Sequence, residues 1–198
     1  MADPTDLTRA DVTRARLLQA ATAAFAEKGF HGTATRDIAT AAGMSQAAVY
    51  FHHKSKEELL YLISRKGHED TLLLVRDAIA SSDVPAQALR RLVHDFVVDH
   101  AQGHTGARIV NYELAALTAE HYEEIRGIRR SIQFELRELI ERGVEAGDFD
   151  TPDPEVAAVA LLSLGIDIAR WYRDEGAWSP DYIAERYADI ALRVVGAN

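Results

Sequence analysis

Hydrophobic positions recur every three or four residues along nearly the whole chain, which is the period of an amphipathic α-helix. Capping residues, glycines and prolines divide this pattern into separate helices. The sequence contains no strand-like alternation, internal repeat or low-complexity tract. It therefore predicts an all-α fold of about nine helices. Their approximate bounds are 13–29, 35–42, 46–52, 55–81, 85–102, 107–117, 119–146, 151–174 and 179–195.

The second and third predicted helices are short and flank a glycine turn. Thr35 and Ser45 are predicted to cap them, because a hydroxyl can accept an unpaired backbone N–H at a helix start. Gly43 can leave the first of them with a positive φ. Ile38 and Val49 would pack the two helices against each other. Two short helices joined by such a turn form a helix-turn-helix, whose second helix enters the major groove of DNA.

The second of these short helices keeps polar and aromatic side chains on its outward face. Such residues suit base edges, thymine methyl groups and phosphates. A generic helical hairpin is the alternative, but aromatics and lysines at the end of so small a helix are poor core material. The outward set is Gln46, Ala47, Ala48, Tyr50 and Phe51, followed by His52, Lys54 and Lys56.

Residues 35–59 read TRDIATAAGMSQAAVYFHHKSKEEL, a run that resembles the DNA-binding domain of tetracycline-repressor (TetR/AcrR) type transcriptional regulators. The resemblance implies an all-helical homodimer. Its DNA-binding domain, three helices within residues 1–54, would precede a larger domain, residues 55–198, that binds a small inducer and dimerises. His53 departs from the pattern, since the family usually has an apolar residue there. The implied contacts with double-stranded operator DNA fall on Thr35, Arg36, Ser45, Gln46, Ala47, Ala48, Tyr50, Phe51, His52 and Lys56.

Charge is divided unevenly along the chain. The net charge is −9, yet residues 1–56 hold seven basic and five acidic residues, a net of +2, which leaves −11 for residues 57–198. The basic end is the expected DNA end, and the acidic body should repel DNA and so orient the docking. A helical scaffold without DNA binding is the alternative class, and it predicts no electropositive face on residues 1–56.

Composition excludes several other classes. The chain has no cysteine, hence no disulfide, thiolate metal site or cysteine nucleophile. The acidic start is not followed by an apolar stretch, which excludes an ordinary signal peptide. The longest apolar run, residues 156–166, is too short to span a bilayer. We therefore expect a cytoplasmic protein without a membrane partner.

Sequence motifs of common enzymes are also missing. The chain contains no Gly-x-Ser-x-Gly, Gly-rich phosphate loop or dinucleotide fingerprint. His100 and His104 stand four residues apart, as metal ligands on a helix do, but Gly103 is predicted to break the helix between them. We therefore expect no catalytic residue, no metal and no cofactor.

The eighth predicted helix is apolar on all sides from residue 156 to residue 166. A helix on a monomer surface needs only one apolar stripe, so the second face must be buried, centrally within one subunit or against another copy. The ninth helix adds apolar residues at helical spacing, and this pair with its two-fold mate would make a four-helix bundle. We expect a homodimer through Val159, Leu161, Leu162, Tyr187 and Ile190.

Polar residues at apolar helix positions are the candidates for ligand contact. A small-molecule pocket is mostly apolar with a few placed polar groups. Each candidate also has a plainer explanation, since Arg170 can pair with Asp167 along the helix and Trp171 can be core. The candidates are His94, Asn111, Tyr112, Arg170 and Trp171.

Residues 170–173 read RWYR, and a short loop and a Tyr-rich last helix follow. This arrangement is similar to the C-terminal domain of actinobacterial regulators of the same family, which control fatty-acid, sterol and aromatic-acid catabolism and sense acyl-CoA thioesters. It implies a repressor released from a palindromic operator by an acyl-CoA or apolar acid. A regulator of drug efflux that senses cationic or hydrophobic compounds is the alternative. The acidic body offers no obvious site for CoA phosphates; the nearest basic cluster is Arg126, Arg129 and Arg130, and a solvated helix face explains it equally well.

Overall fold

The computed structural model describes residues 9–197, with side chains from residue 10 onward. Within that range it contains nine α-helices, one 3-10 helix and no strand, which confirms the all-α prediction. The helices are α1 (Arg9–Gly32), α2 (Thr35–Ala41), α3 (Gln46–His52), α4 (Lys56–Ala80), α5 (Pro85–Gln102), α6 (His104–Tyr112), α7 (Ala119–Glu145), α8 (Pro154–Trp171) and α9 (Pro180–Val194). A 3-10 turn, Leu114–Ala116, follows α6.

Most predicted helix ends lie within three residues of the observed ones. The backbone leaves helical geometry at Gly29 (φ 70°), where the first helix was expected to end, although helical residues continue to Gly32. The predicted sixth helix is wrong at both ends, because α6 starts directly after Gly103 and the 3-10 turn replaces its last residues. Arg9, the first residue that the structure describes, is already helical, so α1 begins earlier than predicted.

The end of α8 has a local physical cause. The helix stops at Trp171 rather than at residue 174. The guanidinium of Arg173 donates to the carbonyl oxygens of Arg170 (3.1 Å) and Tyr172 (2.6 Å). These bonds satisfy carbonyls that have no partner within the helix, so the chain can turn away earlier than the apolar pattern suggests.

Contacts divide the chain into two compact units. The first comprises the residues up to Lys66 together with Arg108–Glu123, and the second comprises Gly67–Ala107 and the residues from Glu124 onward. The first unit thus contains α1, α2, α3, the start of α4, most of α6 and the start of α7. The second contains the rest of α4, α5, most of α7, α8 and α9.

The core of the first unit joins the short helices to their neighbours. Ile38 of α2 and Val49 of α3 are fully buried in one apolar cluster, as predicted. Leu17 and Phe25 of α1 and Ile109 of α6 belong to the same cluster. The helix-turn-helix is therefore held against α1, and a segment from the middle of the chain contributes to its core.

The second unit is built around α5, which packs against both α8 and α9. Leu89, Leu92 and Val97 of α5 are buried there. At the edge of this core the Arg90 guanidinium donates to Glu185 and Asp189 of α9, each at 2.7 Å. The helices of residues 9–197 include none that is long and apolar enough to cross a membrane.

Candidate DNA-binding surface and ligand-binding region

The turn between α2 and α3 has the geometry that the sequence predicts. Gly43 adopts φ 62°, a conformation that glycine reaches without a Cβ clash. The Ser45 hydroxyl accepts the backbone N–H of Ala48 at 3.2 Å and so caps α3. This cap is confirmed, and it orients the start of α3.

The predicted cap of α2 is wrong. Ala34, not Thr35, occupies the cap position, and its side chain can accept no hydrogen bond. Instead the Asp37 carboxylate accepts the Ala34 backbone N–H at 2.9 Å, which together with Lys28 at 3.5 Å lowers the pKa of Asp37. A carboxylate in the first turn also interacts favourably with the helix dipole.

The outward face of α3 is exposed to solvent. Phe51 is 85% exposed, and Gln46, Ala47 and Tyr50 are exposed as well. The Tyr50 hydroxyl lies 3.4 Å from the Thr35 hydroxyl of α2. The apolar ring of Phe51 and the polar groups of Gln46 and Tyr50 are therefore open to solvent on α3.

The remaining predicted DNA contacts flank this face. Arg36 on α2 and Lys54 after α3 are exposed, whereas Ala48, His52 and Thr35 are partly buried. The His52 ring meets the Phe51 ring edge-on, with centroids 5.3 Å apart.

Lys56 is placed differently from Lys54, because its ammonium is bonded within the protein. Its Nζ donates to the carbonyl oxygens of Phe30 (2.7 Å) and Thr33 (2.8 Å) and lies 4.3 Å from the centre of the Phe30 ring. These carbonyls belong to the end of α1 and the turn after it, where a cation is favoured. An ammonium has three donors, so one is left for a phosphate.

His53, the departure from the family pattern, is buried between α3 and α4. Its side chain is 4% exposed and its Nε2 atom has no hydrogen-bond partner. Burial lowers the pKa of His53, and the nearby Glu58 carboxylate opposes this shift in part. The imidazole therefore takes the place of an apolar side chain.

A set of contacts that the sequence did not reveal joins α4 to the start of α7 within the first unit. The Glu57 carboxylate accepts the backbone N–H of Thr118 (2.9 Å) and contacts Nδ1 of His121 (2.8 Å). The His121 ring stacks on Tyr61, with centroids 3.8 Å apart. These partners are about 60 residues apart in sequence, so no local pattern could have indicated them.

A second such contact joins α1 to the residue that follows α6. The Glu113 carboxylate accepts the backbone N–H of Phe30 at 3.4 Å. The predicted ligand residues Asn111 and Tyr112 precede Glu113 in the sequence. Asn111 is partly buried, and Tyr112 is exposed. Both belong to the first unit.

The other predicted ligand residues belong to the second unit. His94 contacts Asp95 (3.1 Å) and lies 4.0 Å from Glu185. Arg170 and Trp171 at the end of α8 are exposed, and Arg170 donates to Asp167 at 3.3 Å, the plainer of its two explanations. Arg170 and Trp171 therefore need a bound molecule or a partner chain to become buried.

Two cavities lie within the second unit. An open groove of about 570 Å³ runs between α4 and α5 and includes His94; four carboxylates line it, those of Asp70, Asp77, Asp95 and Asp99. An apolar cavity of about 10 Å³ lies between α5, α7 and α8. Its lining consists of Leu92, Val93, Phe96, Val97, Leu136, Leu161, Leu162 and Gly165.

The predicted dimer residues differ in exposure. Val159 of α8 and Ile190 of α9 are 44% and 39% exposed, and further large apolar side chains such as Val156 and Val194 are exposed on the same two helices. Leu161 is 6% exposed and belongs to the core of the second unit. Leu162 and Tyr187 are partly buried against that core, and burial raises the pKa of Tyr187.

The histidines that suggested a metal site are engaged otherwise. Nδ1 of His100 donates to the Phe96 carbonyl (2.9 Å), and Nδ1 of His104 to the Ala101 carbonyl (3.0 Å). Across the part of the chain that the structure describes, no group of three or more His, Asp or Glu side chains is arranged to hold a metal ion.

Comparison with known proteins agrees with this geometry. The family model described as "Bacterial regulatory proteins, tetR family" matches residues 17–61, and "Tetracyclin repressor-like, C-terminal domain" matches residues 82–195. The HTH-type transcriptional repressor KstR2 of Rhodococcus jostii (strain RHA1) is 30% identical over 181 residues, which cover 90% of this chain and 89% of that protein.

Solved structures share the fold. A bacterial regulatory protein in the tetR family from Rhodococcus RHA1 is 41% identical, with a TM-score of 0.90 over 97% of this chain and 100% of that one. AibR, in complex with isovaleryl coenzyme A and operator DNA, has a TM-score of 0.83 over 94% of this chain and 100% of its own, at 23% identity. The relatives are regulators and not enzymes. The chain belongs to the TetR family of DNA-binding bacterial transcriptional regulators.

Proposed function

We propose that the protein is a homodimeric repressor that a small apolar acid or acyl-CoA releases from a palindromic operator. DNA binding is assigned to residues 1–54, and ligand binding and dimerisation to residues 55–198. The observation that carries the proposal is the capped helix-turn-helix, whose α3 leaves Gln46, Tyr50 and Phe51 exposed on one face. Such a helix fits the major groove, and a dimer reads two half-sites about one helical turn apart.

The exposed apolar faces of α8 and α9 support the homodimer. Val159 and Ile190 contribute large apolar surfaces that a second copy would remove from water. A two-fold arrangement needs one self-complementary patch, and two adjacent helices can supply it as half of a four-helix bundle. We assign Val159, Leu162, Tyr187 and Ile190 to the interface and Leu161 to the subunit core.

Relatives support the inducer class. KstR2 is a repressor, and AibR binds isovaleryl coenzyme A, which makes a thioester of CoA our first choice and a free fatty or aromatic acid our second. The cavity between α5, α7 and α8 has an apolar lining that matches a hydrocarbon group in chemistry, although its volume of about 10 Å³ does not hold one. Arg170 at the end of α8 is exposed, and it would have to leave Asp167 to meet an anion.

The contacts of Glu57 and His121 suggest how a ligand would change DNA binding. The segment 108–123 is packed with α4 and α1 in one unit, and it continues at both ends into helices of the second unit. A ligand that displaces α6 or α7 would therefore pull on Glu57, Tyr61 and the end of α1. A coupling of about 1–3 kcal/mol would lower operator affinity roughly 5- to 150-fold.

The test begins with genomic fragments that the protein binds, from which the operator is derived. Release of that operator is then followed by fluorescence anisotropy across acyl-CoAs, the matching free acids and cationic dyes. Release by acyl-CoAs or acids supports the proposal, and release by the dyes alone contradicts it. An Arg170→Ala variant should respond less, and an unchanged response would remove Arg170 from the site.

A regulator that senses organic cations is the second candidate. The observation that favours it is the groove between α4 and α5, whose carboxylates include Asp70, Asp77 and Asp99. A cation would be attracted there and the phosphates of CoA would be repelled. An Asp77→Asn, Asp99→Asn variant separates the candidates, because it should impair release by dyes and leave release by acyl-CoAs intact.

A further inference from the structure

A phenyl ring rests on a glycine where α5 and α8 meet. A Cβ atom at Gly165 would lie 2.6 Å from two carbons of the Phe96 ring, a distance at which one of them must move. Gly165 is buried in the middle of α8, where glycine costs about 0.5–1 kcal/mol relative to alanine. The position is therefore occupied by the one residue that lets the ring lie against the helix backbone.

The contact of Phe96 with Gly165 is not unusual by itself. Phe149 rests on Gly143 of α7 in the same unit, and a Cβ there would lie 2.1 Å from its ring. The difference is that Phe96 and Gly165 both line the apolar cavity of about 10 Å³, whereas Phe149 and Gly143 do not belong to its lining. Of these two rings, Phe96 is therefore the one that lines this cavity.

The cavity is too small for any ligand while the ring stays in place. A volume of about 10 Å³ holds roughly one water-sized sphere. Its lining contains only apolar side chains and one glycine, so the space offers no partner to water or to a polar group. In contrast, engineered apolar cavities of about 150 Å³ stay dry and bind benzene.

His100, one turn further along α5, also packs against the Phe96 ring. It is 4% exposed, its ring stacks on Phe96 with centroids 4.1 Å apart, and its Nδ1 donates to the Phe96 carbonyl. These contacts fix the imidazole whether or not the phenyl ring moves, because the hydrogen bond is made to the backbone.

We propose that the Phe96 ring closes a hydrocarbon-chain site between α5, α7 and α8, and that an aliphatic chain enters by pushing the ring off Gly165. The inference rests on the proposed inducer class and names where its chain binds. The site takes the apolar part of the ligand alone, since its walls are Leu92, Leu136, Leu161 and similar side chains. Charged head groups stay outside it.

The experiment follows the ring directly. The protein is labelled with 4-fluorophenylalanine at its six phenylalanines, and the ¹⁹F resonances of Phe96 and Phe149 are assigned from the Phe96→Leu and Phe149→Leu variants. Octanoyl-CoA and octanol, a chain without a charged head, are added while calorimetry measures their binding. We expect the Phe96 resonance to shift and the Phe149 resonance to stay.

Variants of the two matched contacts test the site independently. Phe96→Leu makes room and should raise the affinity for octanol at least fivefold, whereas Phe149→Leu should leave it unchanged. Both replace a buried phenylalanine that rests on a glycine, so a general loss of packing would affect them alike. Equal affinities for octanol in the two variants would overturn the inference.

Other outcomes separate this inference from the proposed function. Binding of octanoyl-CoA with a stationary Phe96 resonance overturns the chain site, even if the operator is released. The same holds if neither probe binds. Movement of Phe96 by octanol without operator release by any acyl compound supports the chain site and contradicts the acyl inducer.

Discussion

The helix-turn-helix and the second unit differ in how far apart their determining residues lie. In the helix-turn-helix, Ser45 caps α3 through Ala48 and Asp37 caps α2 through Ala34, each three residues away. In the second unit Arg90 bonds to residues 95 and 99 positions later. The contacts of the helix-turn-helix can therefore be recognised from a short motif. The contacts of Arg90 cannot, because they form only when distant parts of the chain come together on folding.

The exposed faces of the two regions also differ in chemistry. The face of α3 combines Gln46 and Tyr50 with apolar side chains, while α8 and α9 expose aliphatic residues such as Val159 and Ile190. The first suits a nucleic acid, which offers hydrogen bonds, methyl groups and phosphates. The second suits another protein surface of the same kind. Exposure alone does not indicate the class of partner, whereas exposure together with side-chain chemistry supports a proposal for it.

The largest effect is expected from charge on the apolar face. A double Val159→Glu, Ile190→Glu variant should be monomeric by light scattering, because four carboxylates would have to be buried in each dimer. Without the second recognition helix, operator affinity should fall about 10²- to 10⁴-fold in anisotropy measurements.

Two controls give that result its meaning. Leu73→Glu, at a position on α4 that is 59% exposed, should remain dimeric and bind the operator. Leu161→Glu should lose its fold rather than its partner, since the side chain lies in the subunit core. A soluble double variant that stays dimeric would move the interface away from α8 and α9.

A smaller effect should separate two lysines near α3. Lys56→Ala removes the hydrogen bonds to the Phe30 and Thr33 carbonyls. The free energy of unfolding, measured by urea denaturation, should therefore fall by about 2 kcal/mol. Lys54→Ala should leave stability unchanged and reduce the salt slope of operator binding by about one per half-site. Equal stability of the two variants would contradict the structural role of Lys56.

The sequence predicts local contacts better than contacts between residues that are distant along the chain. The capped α3, the turn at Gly43 and the outward Gln46 were all predicted from spacing, because each depends on neighbours within one helical turn. Even there Thr35 was the wrong cap, because α2 already begins at Thr35 and the Asp37 carboxylate accepts the backbone N–H of Ala34 at the cap position. Periodicity indicated where helices lie but not their partners.

The ligand region shows where such prediction ends. His94 and Arg170 were selected as polar residues in apolar stretches, yet both contact nearby carboxylates. Phe96 and Gly165 were not selected, because each is an ordinary residue in its own helix and only the packing of α5 on α8 brings them together. No local sequence pattern therefore indicates the contact between Phe96 and Gly165 beside the cavity.

Base recognition should be separable from both stability and phosphate binding. Gln46→Ala should change the preferred base at one position of each half-site, at about 1–3 kcal/mol of lost discrimination. Ser45→Ala is the neighbouring comparison, because it removes the cap of α3, should cost about 1 kcal/mol of stability and should weaken binding to all operator sequences alike. Selection of operators from a random library measures the preference, and an unchanged operator for Gln46→Ala would contradict the base-reading role.

The smallest effect concerns His53 and depends on pH. Its pKa is lowered in the folded protein by burial, whereas the unfolded chain has the ordinary value of 6.5. Well above pH 6.5 the imidazole is neutral in both states, and its protonation does not affect stability. As the pH falls from 6.5 through the lowered folded value, the unfolded state binds the extra proton, so the free energy of unfolding decreases.

His53→Phe replaces this buried imidazole by a side chain that cannot titrate. The variant should lose less stability than the wild type between pH 7.5 and pH 5.5, with a difference in slope of at most about 1.4 kcal/mol per pH unit. All other titrating groups are common to both proteins, so comparing their urea midpoints across pH isolates His53. Because Glu58 favours the protonated form, the slope should increase when Glu58 is replaced by glutamine. Identical pH profiles of the wild type and His53→Phe would contradict this prediction. They would mean that the imidazole of His53 binds a proton equally well in the folded and unfolded states.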